Sequence, residues 1–258
     1  MENDTLLDTD AWVITLLLFA SMLLASFLGK ITGNYFRQKA GEGRSGEASS
    51  LTALLFFLLA FTYGMSSSRY DSRRQIVVEE ANDIGTAILR SDLYPDTIRA
   101  AFRRDFQDYV ETRIDYYQAS ANVNAVLKSD SLSQVIATKL WKRAAGLSQH
   151  PAHLAATQQM IPALNAMIDV ATTRLSGEKA KVPQSILIML FFLAAITSFY
   201  SVYNEARKGG VDWLIQIGFC LLVSLVVFFT LDLDRPRRGF VNLNVPNQTI
   251  IDLRQNFK

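Results

Sequence analysis

Cysteine is nearly absent. Cys220 is the only one among 258 residues and lies inside an apolar run, so no disulfide forms within the chain and the redox compartment stays open. Histidine is almost as scarce, with only His150 and His153. Their i, i+3 spacing can supply two metal ligands, but no Glu or Cys stands where it would complete a set; a solvated helix start is the plainer reading, and no metal site is assigned. Ser66, Ser67 and Ser68 have no G-x-S-x-G elbow and no histidine nearby; small polar residues at a close helix contact, or lining water, account for them. The glycine-rich run Lys39–Gly46 lacks the P-loop spacing and its closing Lys-Ser/Thr, so it reads as a flexible connection. No catalytic set can be assembled, the chain is not expected to be an enzyme, and no cofactor is called for. Net charge is only +2, which gives no basic excess for nucleic acid. Strand-like alternation of useful length is also missing.

What the sequence does have is long stretches free of charge. A hydrocarbon core of roughly 30 Å needs about 20 helical residues. Ala11–Gly29, Ala48–Ser68, Val182–Asn204 and Trp213–Leu231 meet that requirement, and backbone satisfaction in lipid makes each a helix. Trp12, Tyr63, Tyr200, Tyr203 and Trp213 fall near the expected interfaces. The leading segment, residues 1–10, is acidic, whereas a secretory signal needs a basic n-region; the first span is expected to stay as an anchor.

Four spans put both termini and the middle region on one side. That side carries Arg69, Arg73, Arg74, Arg174, Lys179, Lys181, Arg235, Arg237 and Arg238 near the membrane, against Lys30, Arg37, Lys39, Arg44, Arg207 and Lys208 on the other. Positive-inside counting places the middle region and the termini in the cytoplasm.

Between the second and third spans, residues 69–181 read as helical. Ile98, Phe102, Phe106, Tyr109, Val110, Ile114 and Tyr117 recur at three- and four-residue steps, with Pro95 in the first turn and a charged face of Arg99, Arg103, Arg104, Asp108 and Glu111. Asp130 or Ser131 is expected to cap a short helix that Gly146 ends. Another helix begins near Pro151, contains Pro162 and stops at Gly177. Glu79, Glu80 and Asp83, following Arg73 and Arg74, suggest a salt-bridge ladder along the second-span helix. The expected fold is therefore an all-α membrane protein. Residues 1–68 and 182–231 form two transmembrane helix pairs, residues 69–181 a helical bundle inserted between them, and residues 232–258 an extended, wrapping tail with Val241, Leu243 and Val245 alternating. Asp232 and Asp234 beside Arg235, Arg237 and Arg238 are expected to form ion pairs at the interface and not a divalent-cation site.

The chain is organised around residues 49–88. No proline interrupts this stretch, so one helix is expected to leave the bilayer near Ser66 and continue into water. Ala53, Phe57 and Phe61 lie four apart on one face of it. In a monomer that line packs against other spans; in a ring of subunits it lines a narrow apolar pore. Aromatic edges carry partial positive charge, and apolar constrictions gate by dewetting.

The stretch Ala60–Gln75, followed by Val78-Glu-Glu-Ala-Asn-Asp-Ile-Gly85 and Leu89-Arg90, resembles the bacterial bestrophin-like family, as does Leu231-Asp-Leu-Asp-Arg-Pro-Arg-Arg-Gly239. More distantly, the order of elements resembles bestrophin channels, homopentameric anion channels whose second membrane helix lines a three-ring apolar neck. That resemblance implies a pentamer in the bacterial inner membrane, with Ala53, Phe57 and Phe61 at the neck. Arg69, Arg73 and Arg74 would concentrate anions such as chloride at the cytoplasmic exit. Ala53 is smaller than the usual neck residue, and a tryptophan-rich helix exit is replaced by Ser, Arg and Tyr. The calcium-binding acidic cluster of animal bestrophins has no counterpart in Asp232 and Asp234. The alternative expectation is a non-conducting, membrane-anchored scaffold or sensor whose helical domain binds a protein partner.

Overall fold

A computed structural model describes residues 9–36, 45–119, 122–235, 237, 239–241 and 244–257. Arg37, Lys39 and Arg44 of the first hairpin loop, Pro236, Arg238 and Leu243 of the tail, and the acidic residues 1–8 lie outside these. Every regular element among the described residues is helical: α1 Ala11–Tyr35, α2 Ser45–Arg90, α3 Asp96–Gln118, α4 Val123–Leu147, α5 Leu154–Lys179, α6 Gln184–Lys208, α7 Trp213–Leu233 and α8 Asn244–Asp252. Short 3-10 turns occupy Ser91–Leu93, Pro151–His153 and Leu253–Phe257. Helices α1, α2, α6 and α7 are long and apolar enough to cross a membrane.

The chain divides into two compact units, one built from residues up to Ser68 with Lys181–Arg235, the other from Arg69–Ala180 with residues 237 onward. In the first unit, Leu18, Met22, Leu55, Leu59, Leu190, Val223 and Val227 form the core. Helix α1 lies close along α6 because glycine permits it. A Cβ on Gly29 would collide with the Phe199 carbonyl oxygen, and one on Gly33 would sit 2.7 Å from that of Tyr203. Gly29 and Gly33 form a G-x-x-x-G pair inside a span, the pattern that lets membrane helices approach backbone to backbone. A polar contact adds to it: Gln216 Nε2 donates to Ser26 Oγ at 2.8 Å in the buried interior. Asp234 accepts the Val182 backbone N–H at 2.7 Å, tying the start of α6 to the end of α7. Lys30 Nζ sits 5.2 Å above the Trp213 ring. Gly29→Val is expected to cost about 1–3 kcal/mol or more through overpacking, read as a lower melting temperature and loss of monodisperse protein. Gly64→Ala, where a Cβ meets nothing within 4 Å, is the control, expected to hold or slightly raise the melting temperature through the better helix propensity of alanine.

In the second unit, α3, α4, α5, α8 and the Arg69–Arg90 part of α2 enclose a core of Val77, Ile84, Ile88, Phe102, Phe106, Tyr109, Leu140, Met160 and Leu164. Tyr94 hydroxyl meets Thr157 Oγ1 at 2.9 Å inside it.

Three local expectations are corrected. Asp130 and Ser131 do not begin a helix; α4 starts eight residues earlier because Asn122 Oδ1 accepts the Ala125 N–H at 3.1 Å, and Asp130 is turned inward instead. Gly146 and Gly177 lie within the last turn of α4 and α5 and do not end them. The tail is not extended throughout: residues 244–252 are helical, since Ile250 and Leu253 fall at a helical step and both are buried against the core.

Candidate pore-lining face and a buried ion network

Helix α2 runs unbroken for 46 residues. About 3.6 residues per turn sort its side chains into two lines. Leu55, Leu59, Thr62, Ser66, Arg73, Val77, Glu80 and Ile84 are buried. On the opposite face Ala53, Phe57, Phe61, Gly64, Ser68, Asp71 and Gln75 are exposed. Phe57 is 66% and Phe61 57% accessible, so neither packs against the other spans of its own chain. Phe56, one residue away, turns the other way and meets Phe219 of α7 edge-on at 6.0 Å. The three residues assigned to the constriction thus share one open face, and that face passes from apolar to polar at Ser68.

The three arginines assigned to the exit do not share it. Arg73 is buried and donates to the carbonyl oxygens of Gly177 and Ala180 at 3.1 and 2.5 Å. It satisfies the last carbonyls of α5, where a cation also complements the helix dipole, and so is withdrawn from anion attraction. Arg69 is half-buried and already engaged within the protein. Arg74 is exposed, but helix geometry turns it more than a quarter turn from the Phe57 direction. The charged residue that continues the open line is Asp71.

Glu80 forms no ladder along α2. It accepts from Arg113 Nε at 2.5 Å, Arg174 Nη1 at 3.1 Å and the Tyr117 hydroxyl at 2.6 Å, with both Glu80 and Arg113 wholly buried. Arg174 also hydrogen-bonds Tyr117 and stacks on its ring, with Cζ 3.8 Å from the centroid. Burial alone would push the Arg113 guanidinium down, but the adjacent Glu80 carboxylate holds it well above its ordinary value. The Tyr117 phenol is raised by burial and by Glu80, against the pull of Arg174 and Arg113. Both groups stay protonated. Around this centre Arg237 donates to Glu178 at 2.8 Å and to the Tyr116 carbonyl at 3.1 Å, and its Cζ lies 4.5 Å from the Tyr116 ring. On α3, Asp105 is buried; its burial raises the carboxyl, but Lys139 and Arg143, at 2.7 and 2.6 Å, hold it below the ordinary carboxylate value. Asp232 and Asp234 are both buried. No group of three or more His, Cys, Asp or Glu side chains stands at metal-binding distance among the described residues.

Sequence reasoning overlooked Arg113, Asp105 and the Gly29/Gly33 pair. Arg113 lies three and four residues beyond Val110 and Tyr109, on the buried face of α3, and that register was the available signal.

The Bestrophin-like domain family matches residues 48–245, most of the chain and all of α2 past its first turn. This protein belongs to the bestrophin-like family. Its fold is similar to crystal structures of a bacterial bestrophin homolog from Klebsiella pneumoniae. One determined by zinc phasing has a TM-score of 0.66 at 14% identity, covering 94% of this chain and 98% of the homolog. Two single-residue variants of that homolog each give a TM-score of 0.68, at 14% and 13% identity, covering 97% of this chain and at least 99% of theirs. Identities this low show the fold and nothing finer. A comparison with curated proteins gives no match. The bestrophin-like chain is thus an all-helical, multi-pass membrane protein.

Proposed function

We propose that this bestrophin-like protein is a homo-oligomeric ion channel, a pentamer of the bacterial inner membrane with its helical unit and both termini in the cytoplasm. The observation that carries the reading is the open face of α2, where Ala53, Phe57 and Phe61 lead into Gly64, Ser68, Asp71 and Gln75. Past Ser68 the same line carries Asp71 and Gln75, so a passage walled by it would open onto polar groups. In a ring, Phe57 and Phe61 form an apolar constriction whose aromatic edges favour a dehydrated anion, so chloride is the ion this neck admits best. A ring of Asp71 carboxylates opposes it beyond the neck by lowering the local anion concentration. The exit is therefore acidic along its wall, where the sequence suggested a basic one.

The test is flux through liposomes holding the purified protein, measured for chloride and potassium against protein-free vesicles. Chloride flux supports the channel; no flux of either ion from folded, oligomeric protein counts against it. Within that assay, Asp71→Asn is expected to raise the chloride-to-potassium permeability ratio about twofold or more, as expected for removing a ring of like charge, read as a shift in reversal potential. An unchanged ratio removes Asp71 from the wall.

A further inference from the structure

Past the membrane segment, α2 carries three charged side chains unmatched among the described residues. Arg74 and Glu79 are exposed and Asp83 is half-buried; none makes an ion pair with another described residue. Arg74 and Glu79 border a shallow groove that Asp71, Gln75, Val78 and Asn82 also line. Their placement around the helix explains why they stay apart. At about 100° per residue, Arg74 falls on one flank of the line through Phe57, Phe61, Ser68 and Gln75. Glu79 and Asp83 fall on the other. The five-residue step from Arg74 to Glu79 turns their side chains away from each other, and the nine-residue step to Asp83 puts that carboxyl on the opposite side of the helix. Glu79 and Asp83 are themselves an i, i+4 like-charged pair, a destabilising arrangement on an isolated helix that a nearby cation relieves.

One helix cannot join its own two flanks; two parallel copies can. In a closed ring whose centre faces the Phe57 line, each helix turns one flank toward one neighbour and the other flank toward the next, a heterologous contact that closes. The basic flank of one copy then meets the acidic flank of the next. Arg74 and Glu79 differ in height by about 7.5 Å at the rise of an α-helix, which two long side chains span. Val78, 42% accessible, lies between the line and Arg74 and supplies an apolar contact on the same flank. We propose that Arg74 of one subunit pairs with Glu79 of a second copy, a contact repeated around the ring just outside the membrane. This rests on the homo-oligomeric reading above and adds to it the two faces that meet.

The experiment uses the full chain in detergent. The mass of the assembly is measured by light scattering across a dilution series, for the unaltered protein, Arg74→Glu, Glu79→Arg, and the two combined. Each single change should raise the concentration at which the assembly dissociates by tenfold or more, and the combination should restore it. As a measurement independent of stability, Arg74→Lys is treated with a carbodiimide, which joins an amine to a carboxylate in contact with it, and run on a denaturing gel beside Arg74→Lys combined with Glu79→Gln. The divergent directions of positions 74 and 79 forbid a bond within one chain, so a ladder of covalent multimers that the Glu79 change removes is the expected result. An oligomer whose dissociation is unmoved by the single changes, or that gives no ladder dependent on Glu79, overturns the contact and leaves the oligomer standing. Unaltered protein that is monomeric overturns both.

Discussion

Replacing Phe57 and Phe61 together by alanine should raise chloride flux through reconstituted vesicles by about tenfold or more, while the assembly keeps its mass. Phe57 and Phe61 are exposed on the single chain, so truncating them removes little from its core. What they contribute belongs to the ring, where large apolar side chains narrow the path and expel water from it. A tenfold rise corresponds to lowering the barrier by about 1.4 kcal/mol, modest for the removal of two aromatic rings from every subunit. Selectivity should fall at the same time, because the aromatic edges that favour an anion are lost. Phe56→Ala is the matched control: its ring is engaged with Phe219 at 6.0 Å, so it should lower stability and leave the permeability ratio alone. Unchanged flux and selectivity in the paired variant, with the assembly intact, would remove the neck assignment.

Arg113→Ala should be the most destabilising single change in the helical unit, at about 3–5 kcal/mol, because it strands a buried carboxylate. Glu80, wholly buried, then keeps Arg174 and Tyr117 as its partners among the described residues. For a chain of this size the melting midpoint should fall by about 10 °C. Tyr117→Phe, which removes one hydrogen bond but keeps the ring beneath Arg174, should cost about 1 kcal/mol. Replacing Arg254, whose bridge to Glu111 at 2.5 Å is about half exposed on both sides, should change the midpoint little, since such pairs are screened by water. If Arg113→Ala and the Arg254 change proved equal, the interior network would contribute nothing special. Replacing Glu80 and Arg113 together by apolar residues of similar volume should be milder than losing either alone.

The spans were legible because an uncharged run longer than the hydrocarbon core has few alternative interpretations. The exposed line on α2 was legible for a related reason: Ala53, Phe57 and Phe61 announce their common face by spacing alone. The role of Arg73 was not, since its partners are backbone carbonyls more than a hundred residues away, and carbonyls carry no sequence signature. Glu80, Arg113 and Arg174 read as ordinary surface charges one at a time; only the fold brings opposite signs from α2, α3 and α5 into one interior. Asp130 resembled a cap because Asp usually is one, yet Asn122 lay upstream with the same chemistry. The tail was judged on three alternating residues, too few to outweigh the helical step from Ile250 to Leu253.

Gly29 and Gly33 carry a consequence at the level of the gene. Every single-base missense change in a glycine codon adds at least one carbon, and at position 29 even that first carbon runs into the Phe199 carbonyl. No gentle neighbouring codon exists there, as one does for the leucines around it, which can drift to isoleucine, valine or methionine. Drift past the α1–α6 contact must therefore wait for a coordinated change in both helices. In a saturation library, positions 29 and 33 should stand out as the part of the first span with no tolerated alleles, beside exposed positions such as Leu28 and Ile31 that accept almost any apolar residue.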